Sequence, residues 1–119
     1  MLPIVPAMFH ILLALADQER HGYGIMLEVE RNTDGELKMG PGTLYGTIKR
    51  MHEANLIEES DTRPDPELDD ERRRYYRLTP YGRSVLQAET ARLQRLVRVA
   101  QAKQVPNPDF NLAVGNACG

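Results

Sequence analysis

Apolar residues recur with a helical period over the first half of the chain, give way to strand-like alternation, and return to a helical period near the end. From about Pro6 to Asp17, Met8, Ile11, Leu12 and Leu15 make one helical stripe, and Phe9, Leu13 and Ala16 make a second. A helix apolar on so much of its circumference is covered on more than one side, so a subunit contact is expected in addition to a core. A second helix fits His21 to Thr33, with Gly22, Ile25, Met26 and Val29 inward and Asp34-Gly35 ending it. A very short strand is expected at Glu36 to Met39. The third helix is signalled by Gly40-Pro41-Gly42-Thr43, with Pro41 near its start and Thr43 able to cap. Leu44, Ile48, Met51 and Asn55 fall on one of its faces.

After Leu56 the pattern reads as strand, first at Ile57 to Asp61 and again at Arg72 to Thr79, where aromatic and β-favouring residues gather. Between them, Pro64, Pro66 and a run of acids mark a hairpin with a long tip. Thr79-Pro80 then predicts an N-cap followed by a proline in the first helical turn. The last helix is expected to reach about Lys103, before Pro106 and Pro108. Leu86, Leu93, Leu96, Val97 and Ala100 lie along it at coiled-coil-like intervals, interrupted by Glu89. The fold expected is mainly α with a small β-hairpin wing, a winged helix-turn-helix plus a C-terminal dimerisation helix. Residues 1–79 would form the winged domain, 80–103 the dimerisation helix and 104–119 a flexible tail.

At 119 residues, 41% apolar and 27% charged, the chain suits one globular domain with a modest core. No apolar run approaches the roughly 20 residues that cross a bilayer, and Met1 to Pro6 has no basic region of the secretory type. A cytoplasmic protein without membrane attachment is expected. Cys118 has no second cysteine to pair with.

The net charge of −2 argues against nucleic acid as a partner until its distribution is examined. Met1 to His52 sums to −1, Glu53 to Glu71 to −8, and Arg72 to Lys103 to +8. A charged partner meets a polarised molecule.

On the third helix, at about 100° per residue, the side opposite the core presents Gly42, Gly46, Lys49, Arg50 and Glu53, with Tyr45 at its flank. Two cations, a phenol and two glycines suit close approach to a duplex. The alternative is a merely solvated face, with Gly46 a packing accommodation. In the second strand, alternation sets Arg73, Tyr75 and Arg77 outward and turns Arg74, Tyr76 and Leu78 the other way. These arginines either contact phosphates or pair with Asp69, Asp70 and Glu71 across the hairpin.

The stretches His21-Gly22-Tyr23-Gly24-Ile25, Gly42-Thr43-Leu44-Tyr45 and Tyr75-Tyr76-Arg77-Leu78-Thr79 with Gly82 resemble the PadR family of transcriptional regulators. The resemblance covers roughly Phe9 to Lys103. It implies a winged-helix DNA-binding domain, dimerisation through the C-terminal helix, and repression of a nearby operon. The family's DNA-contacting positions correspond to Tyr23, Thr43, Tyr45, Lys49, Arg50, Arg72, Arg73 and Arg74. Dimerisation is expected from Leu12, Leu86, Leu93, Leu96, Val97 and Ala100. One departure stands out: Asp65, Glu67, Asp69, Asp70 and Glu71 load the wing tip with negative charge, which phosphates repel, so contact is expected at the strand base instead.

Some relatives respond to phenolic acids or flat hydrophobic drugs at the dimer interface, so a small-molecule effector is a candidate partner. This chain has no tryptophan, which removes one stacking platform. Phe9, Tyr23 and methionines remain as lining, although methionines at helical spacing more often fill a core.

Enzyme chemistry finds no support. His10, His21, His52 and Cys118 lack paired zinc spacing, and no phosphate-cradling glycine loop or nucleophile motif occurs. No cofactor is expected. The sequence leaves two readings: a homodimeric regulator binding double-stranded DNA at a pseudo-palindromic operator, or a winged-helix module that binds protein through its acidic wing and apolar helices.

Overall fold

A computed structural model describes residues 4–60 and 74–104. Its elements are α1 (Pro6–Ala14), β1 (Arg20–His21), α2 (Gly22–Asn32), α3 (Pro41–Glu53), β2 (Ile57–Ser60), β3 (Tyr75–Leu78) and α4 (Pro80–Ala102). By packing, the chain falls into two units, one through Glu89 and a second from Thr90. The sequence divides the chain at Pro80; the packing divides it ten residues later, because Val85, Leu86 and Glu89 are buried.

The first unit is built around α1, α2 and α3. Ile11, Leu12 and Leu15 from α1 and the turn after it, Ile25 and Val29 from α2, and Leu44, Ile48 and Met51 from α3 meet in one core. Each set follows the helical period that places i, i+3 and i+4 on one face. Leu12 has no exposed surface at all, and Leu86 is 7% exposed. Both expected dimer contacts are corrected here: they are consumed by the protomer's own core and have little or nothing to offer a partner. On the second stripe of α1, Leu13 is exposed while Phe9 and Ala16 are partly buried against the core. Met8 and Met26 pack against the core, and Met39 and Met51 lie within it.

Arg20 ties the first two helices together. Its Nε donates to the carbonyl of Ala14 at 2.8 Å, and its guanidinium lies 3.3 Å from Asp17 and 3.5 Å from Glu28. A cation at a helix C-terminus satisfies a carbonyl that has no partner within the helix. This turn ends α1 at Ala14, three residues earlier than its apolar pattern predicts.

The sheet has the order β1-β3-β2 and is antiparallel throughout. Ile57 pairs with Leu78, Glu58 with Arg77 and Glu59 with Tyr76, while Arg20 pairs with Tyr76 and His21 with Tyr75. The strand expected at Glu36 to Met39 does not form: β1 occupies the other edge of β3, and the segment is held instead by Met39 in the core and by Leu37 N–H donating 3.0 Å to the Thr33 hydroxyl.

The end of α3 locks onto the start of α4. Asn55 adopts a left-handed φ of 62°. Leu56 N–H then donates to the Met51 carbonyl at 2.9 Å, and Asn55 N–H to that of His52 at 3.0 Å, the paired bonds of a Schellman ending. Thr79 meets this turn from the other side. Its hydroxyl donates to the Asn55 carbonyl at 2.6 Å and accepts from Gly82 N–H at 2.9 Å, and its N–H donates to Leu56 at 3.1 Å. The predicted N-cap is therefore also a tether. A Cβ on Gly82 would overlap the Leu56 carbonyl oxygen and come within 2.9 Å of its carbon, so only glycine fits. Gly82→Ala is expected to destabilise the fold by more than about 3 kcal/mol, as backbone overlap exceeds ordinary overpacking. Urea unfolding measures it, and an unchanged midpoint would mean that α4 does not rest on Leu56.

Candidate nucleic-acid interface

The exposed side of α3 carries two rows. Gly42, Tyr45, Lys49 and His52 form one, and Thr43, Gly46, Arg50 and Glu53 form the other, each spaced by three or four residues. All but the half-buried Gly46 are exposed. Thr43 does not cap the helix: Gly40 is the N-cap, Pro41 follows, and no side chain bonds to the first N–H groups. Thr43 instead sits within the first turn, its carbonyl accepting from the buried Thr47 hydroxyl at 2.7 Å. That hydroxyl accepts in turn from Arg50 at 3.2 Å, which lays the guanidinium back along the helix beside Gly46. The space at Gly46 is thus shared with Arg50, 3.8 Å from where a Cβ would stand.

α2 enters the same surface through its N-terminus. His21 caps it, with Nδ1 accepting from Gly24 N–H at 2.9 Å. The imidazole lies edge-on to Tyr75 at 5.3 Å and stacks with Tyr23 at 6.5 Å. Tyr23 is 58% exposed. The ring of Tyr45 covers Gly22 so closely that a Cβ there would lie 2.8 Å from ring carbons. A glycine at the start of α2 therefore lets α3 bring its phenol against the neighbouring helix.

Between α3 and the wing runs a groove of about 370 Å³, lined by Tyr45, Ile48, Lys49, His52 and Glu53 from α3, Glu59 from β2, and Arg74 and Tyr76 from β3. Arg74 bridges to Glu59 at 3.0 Å, and Arg77 bridges to Glu58 at 2.7 Å and approaches Glu19 at 3.7 Å. The wing arginines that are described are held by carboxylates of β2 and of the turn before β1. Arg72, Arg73 and the acids Asp65, Glu67, Asp69, Asp70 and Glu71 lie outside the described residues, as do Cys118 and the tail beyond Gln104. Lys49 has no ion pair among the described residues. Tyr76 turns inward as alternation predicts and is 9% exposed.

The surface thus unites Tyr23, Thr43, Tyr45, Lys49, Arg50 and Arg74 from three elements. Sequence reasoning missed His52 and Glu59. His52 was available as the next member of the Gly42, Tyr45, Lys49 row; Glu59 becomes a neighbour only through strand pairing. Among the described residues there is no metal-binding cluster of His, Cys, Asp or Glu, and no helix is long and apolar enough to cross a membrane.

The sequence matches the transcriptional regulator PadR-like family over residues 11–88. The chain belongs to the PadR-like family. It is 38% identical over 89 residues to the transcriptional regulator Rv3488 of Mycobacterium tuberculosis, covering 75% of this chain and 77% of that protein. An uncharacterized 37.1 kDa protein of a Streptomyces fradiae transposon is 38% identical over 86 residues, and there the match spans 22% of the relative's length. The fold is similar to that of a PadR family regulator from Clostridium difficile, with a TM-score of 0.66 at 23% identity over 83% of this chain and 98% of that one. It is also similar to Bacillus subtilis PadR solved in complex with operator DNA, with a TM-score of 0.58 at 21% identity over 72% and 47% of the two chains.

Tyr76 offers a pH-dependent measure of the groove. Burial pushes its phenol above the ordinary value of 10.0, Glu59 adds to the shift, Arg74 opposes it and Tyr45 raises it further. The folded chain holds this proton more tightly than the unfolded chain. Its contribution to stability is therefore intact below about pH 10 and is lost as pH rises beyond that. Urea midpoints measured from pH 8 to 11 are expected to fall less steeply for Tyr76→Phe than for the unmodified protein; parallel curves would place the phenol in water.

Proposed function

We propose that this PadR-like regulator binds double-stranded DNA as a homodimer and represses transcription from a pseudo-palindromic operator. The observation that carries the reading is the continuous exposed surface from α2 through α3 to β3, with Lys49 and Arg50 on the helix and Arg74 at the wing's base. In this reading α3 enters the major groove, where Lys49 or Arg50 reads a base edge. Thr43, Tyr45 and Tyr23 fix the helix on the backbone, and Arg74 reaches phosphate with Arg72 and Arg73. The similarity to a PadR protein solved with operator DNA supports it.

The dimer rests on α4, where Leu96, Val97 and Val99 are 50%, 54% and 42% exposed. With the partly buried Leu93 and Ala100 they form an apolar stripe on a helix otherwise rich in arginine. A two-fold dimer sets its recognition helices about one duplex turn apart, roughly 34–36 Å, and so calls for inverted half-sites. The second reading, a module that binds protein instead of DNA, draws on the Arg74–Glu59 and Arg77–Glu58 pairs, which neutralise the described part of the wing. The two separate by salt, since displacement of counterions makes DNA binding weaken steeply as salt rises.

Selection of bound fragments from a random DNA pool at two salt concentrations tests the reading directly. Lys49→Ala with Arg50→Ala is expected to cost about 1–3 kcal/mol on the selected fragment and to relax preference at one position; retained affinity and preference would dismiss α3 as the reader. Sedimentation across a concentration range tests assembly. Leu96→Asp with Val97→Asp is expected to give a folded monomer, because a carboxylate buried without a partner is costly in the dimer but these positions are exposed in the protomer. A monomeric unmodified protein would remove the dimer and the palindrome together.

A further inference from the structure

We propose that the groove between α3 and the wing seats one phosphodiester strand of a duplex, with His52 as a backbone-contacting residue beside Lys49 and Arg74. The proposal rests on the DNA-binding reading above and adds to it a residue and a proton. With α3 in the major groove and the hairpin beside it, the sugar-phosphate backbone that borders that groove has to pass between them. The groove offers it a channel with cationic donors on both walls: Lys49 and His52 on α3, Arg74 on β3.

The charge balance of this channel turns on His52. Every charged or titratable group that faces it can be named. From α3 come Tyr45, Lys49, His52 and Glu53; from β2 comes Glu59; from β3 come Arg74 and Tyr76. The two cations Lys49 and Arg74 are matched by the two carboxylates Glu53 and Glu59, and Arg74 is already engaged by Glu59 at 3.0 Å. With neutral imidazole the channel sums to zero; with imidazolium it carries one positive charge. His52 is exposed on the last turn of the helix, so its ring can turn to a phosphate without disturbing the core. A phosphate beside it favours the imidazolium, and affinity therefore tightens as pH falls through the range in which imidazole titrates. His21 acts in the opposite sense, because its Nδ1 accepts from Gly24 N–H and a proton there would forfeit the α2 cap. The effect of His52 is consequently read as a difference between variants.

The test uses the full chain and a fluorescent random-sequence duplex of about 25 base pairs, long enough for two half-sites one turn apart. Backbone contacts weaken all sequences alike, so no operator is needed. Anisotropy titrations are run near pH 6 and pH 8 at several salt concentrations. At the lower pH, His52→Gln is expected to weaken binding about two- to fivefold per contact and to flatten the salt slope by about 0.9, with little change at the higher pH. His52→Lys is expected to bind tightly at both. A His52→Gln protein that keeps the unmodified pH difference and salt slope, or a His52→Lys protein no tighter near pH 8, overturns the proposal. The underlying reading fails separately: an unmodified protein that binds no duplex at either pH loses both, whereas DNA binding that needs Lys49 and Arg50 but ignores His52 loses only this one.

Discussion

Everything at the proposed DNA-facing surface is referred to the backbone contact between Leu56 and Gly82. The recognition helix ends in a left-handed residue, Asn55, and the chain turns directly into β2. At that turn the Leu56 carbonyl receives Thr79 N–H and has the α carbon of Gly82 pressed against it, while the Thr79 hydroxyl joins the end of α3 to the first turn of α4. Bonds to buried backbone groups cannot be given up cheaply. The angle between α3 and the wing is accordingly fixed by main chain, and the groove that separates them inherits its width from a contact that no side chain can adjust.

Electrostatics on that frame are unequal. The wing's described arginines are partnered by carboxylates of the same sheet or of the turn before β1. On α3, Lys49 projects without an ion pair among the described residues, and Arg50 is steadied only by a neutral hydroxyl. A duplex has to compete with Glu59 for Arg74 but has no such rival for Lys49 or Arg50. Exposed ion pairs contribute little stability, so their exchange for phosphate is feasible, yet each retained glutamate lowers sequence-independent attraction. Such an arrangement shifts the balance of binding from bulk charge towards the helix.

Helices and hairpin were legible in the sequence because each carries its own period. The cap at Thr79-Pro80 was legible because capping is local chemistry. What escaped was non-local or too short to carry a pattern. β1 has two residues and exists because β3 had an open edge; the apolar alternation near Met39 suggested a strand there, and no edge remained to pair it. Leu12 read as surplus apolar surface on a crowded helix, whereas the core had room for all of it. The carboxylate partners of Arg74 and Arg77 were sought in the wing tip, and for the described residues they are Glu58, Glu59 and Glu19, two of them opposite or diagonal in the strand register. The groove itself joins residues 45 to 53 with residues 59 to 76, a juxtaposition that only pairing of the strands creates.

The three stretches that carried the family resemblance now have a common physical meaning. His21 caps α2 and rests on Tyr75; Gly22 receives the ring of Tyr45; Thr79 and Gly82 receive the turn at the end of α3. Each stretch contributes one side of a close contact whose other side lies in, or next to, another stretch. Their spacing along the chain is therefore the record of an interlock among α2, α3 and the wing. Lys49 and Arg50 stand outside all three stretches, on the exposed rows of the helix that the interlock holds. A fold organised this way can exchange the side chains that read a sequence without touching the contacts that aim them. The same motifs can accordingly recur among regulators with different operators, and the motifs by themselves carry no information about which operator this one reads.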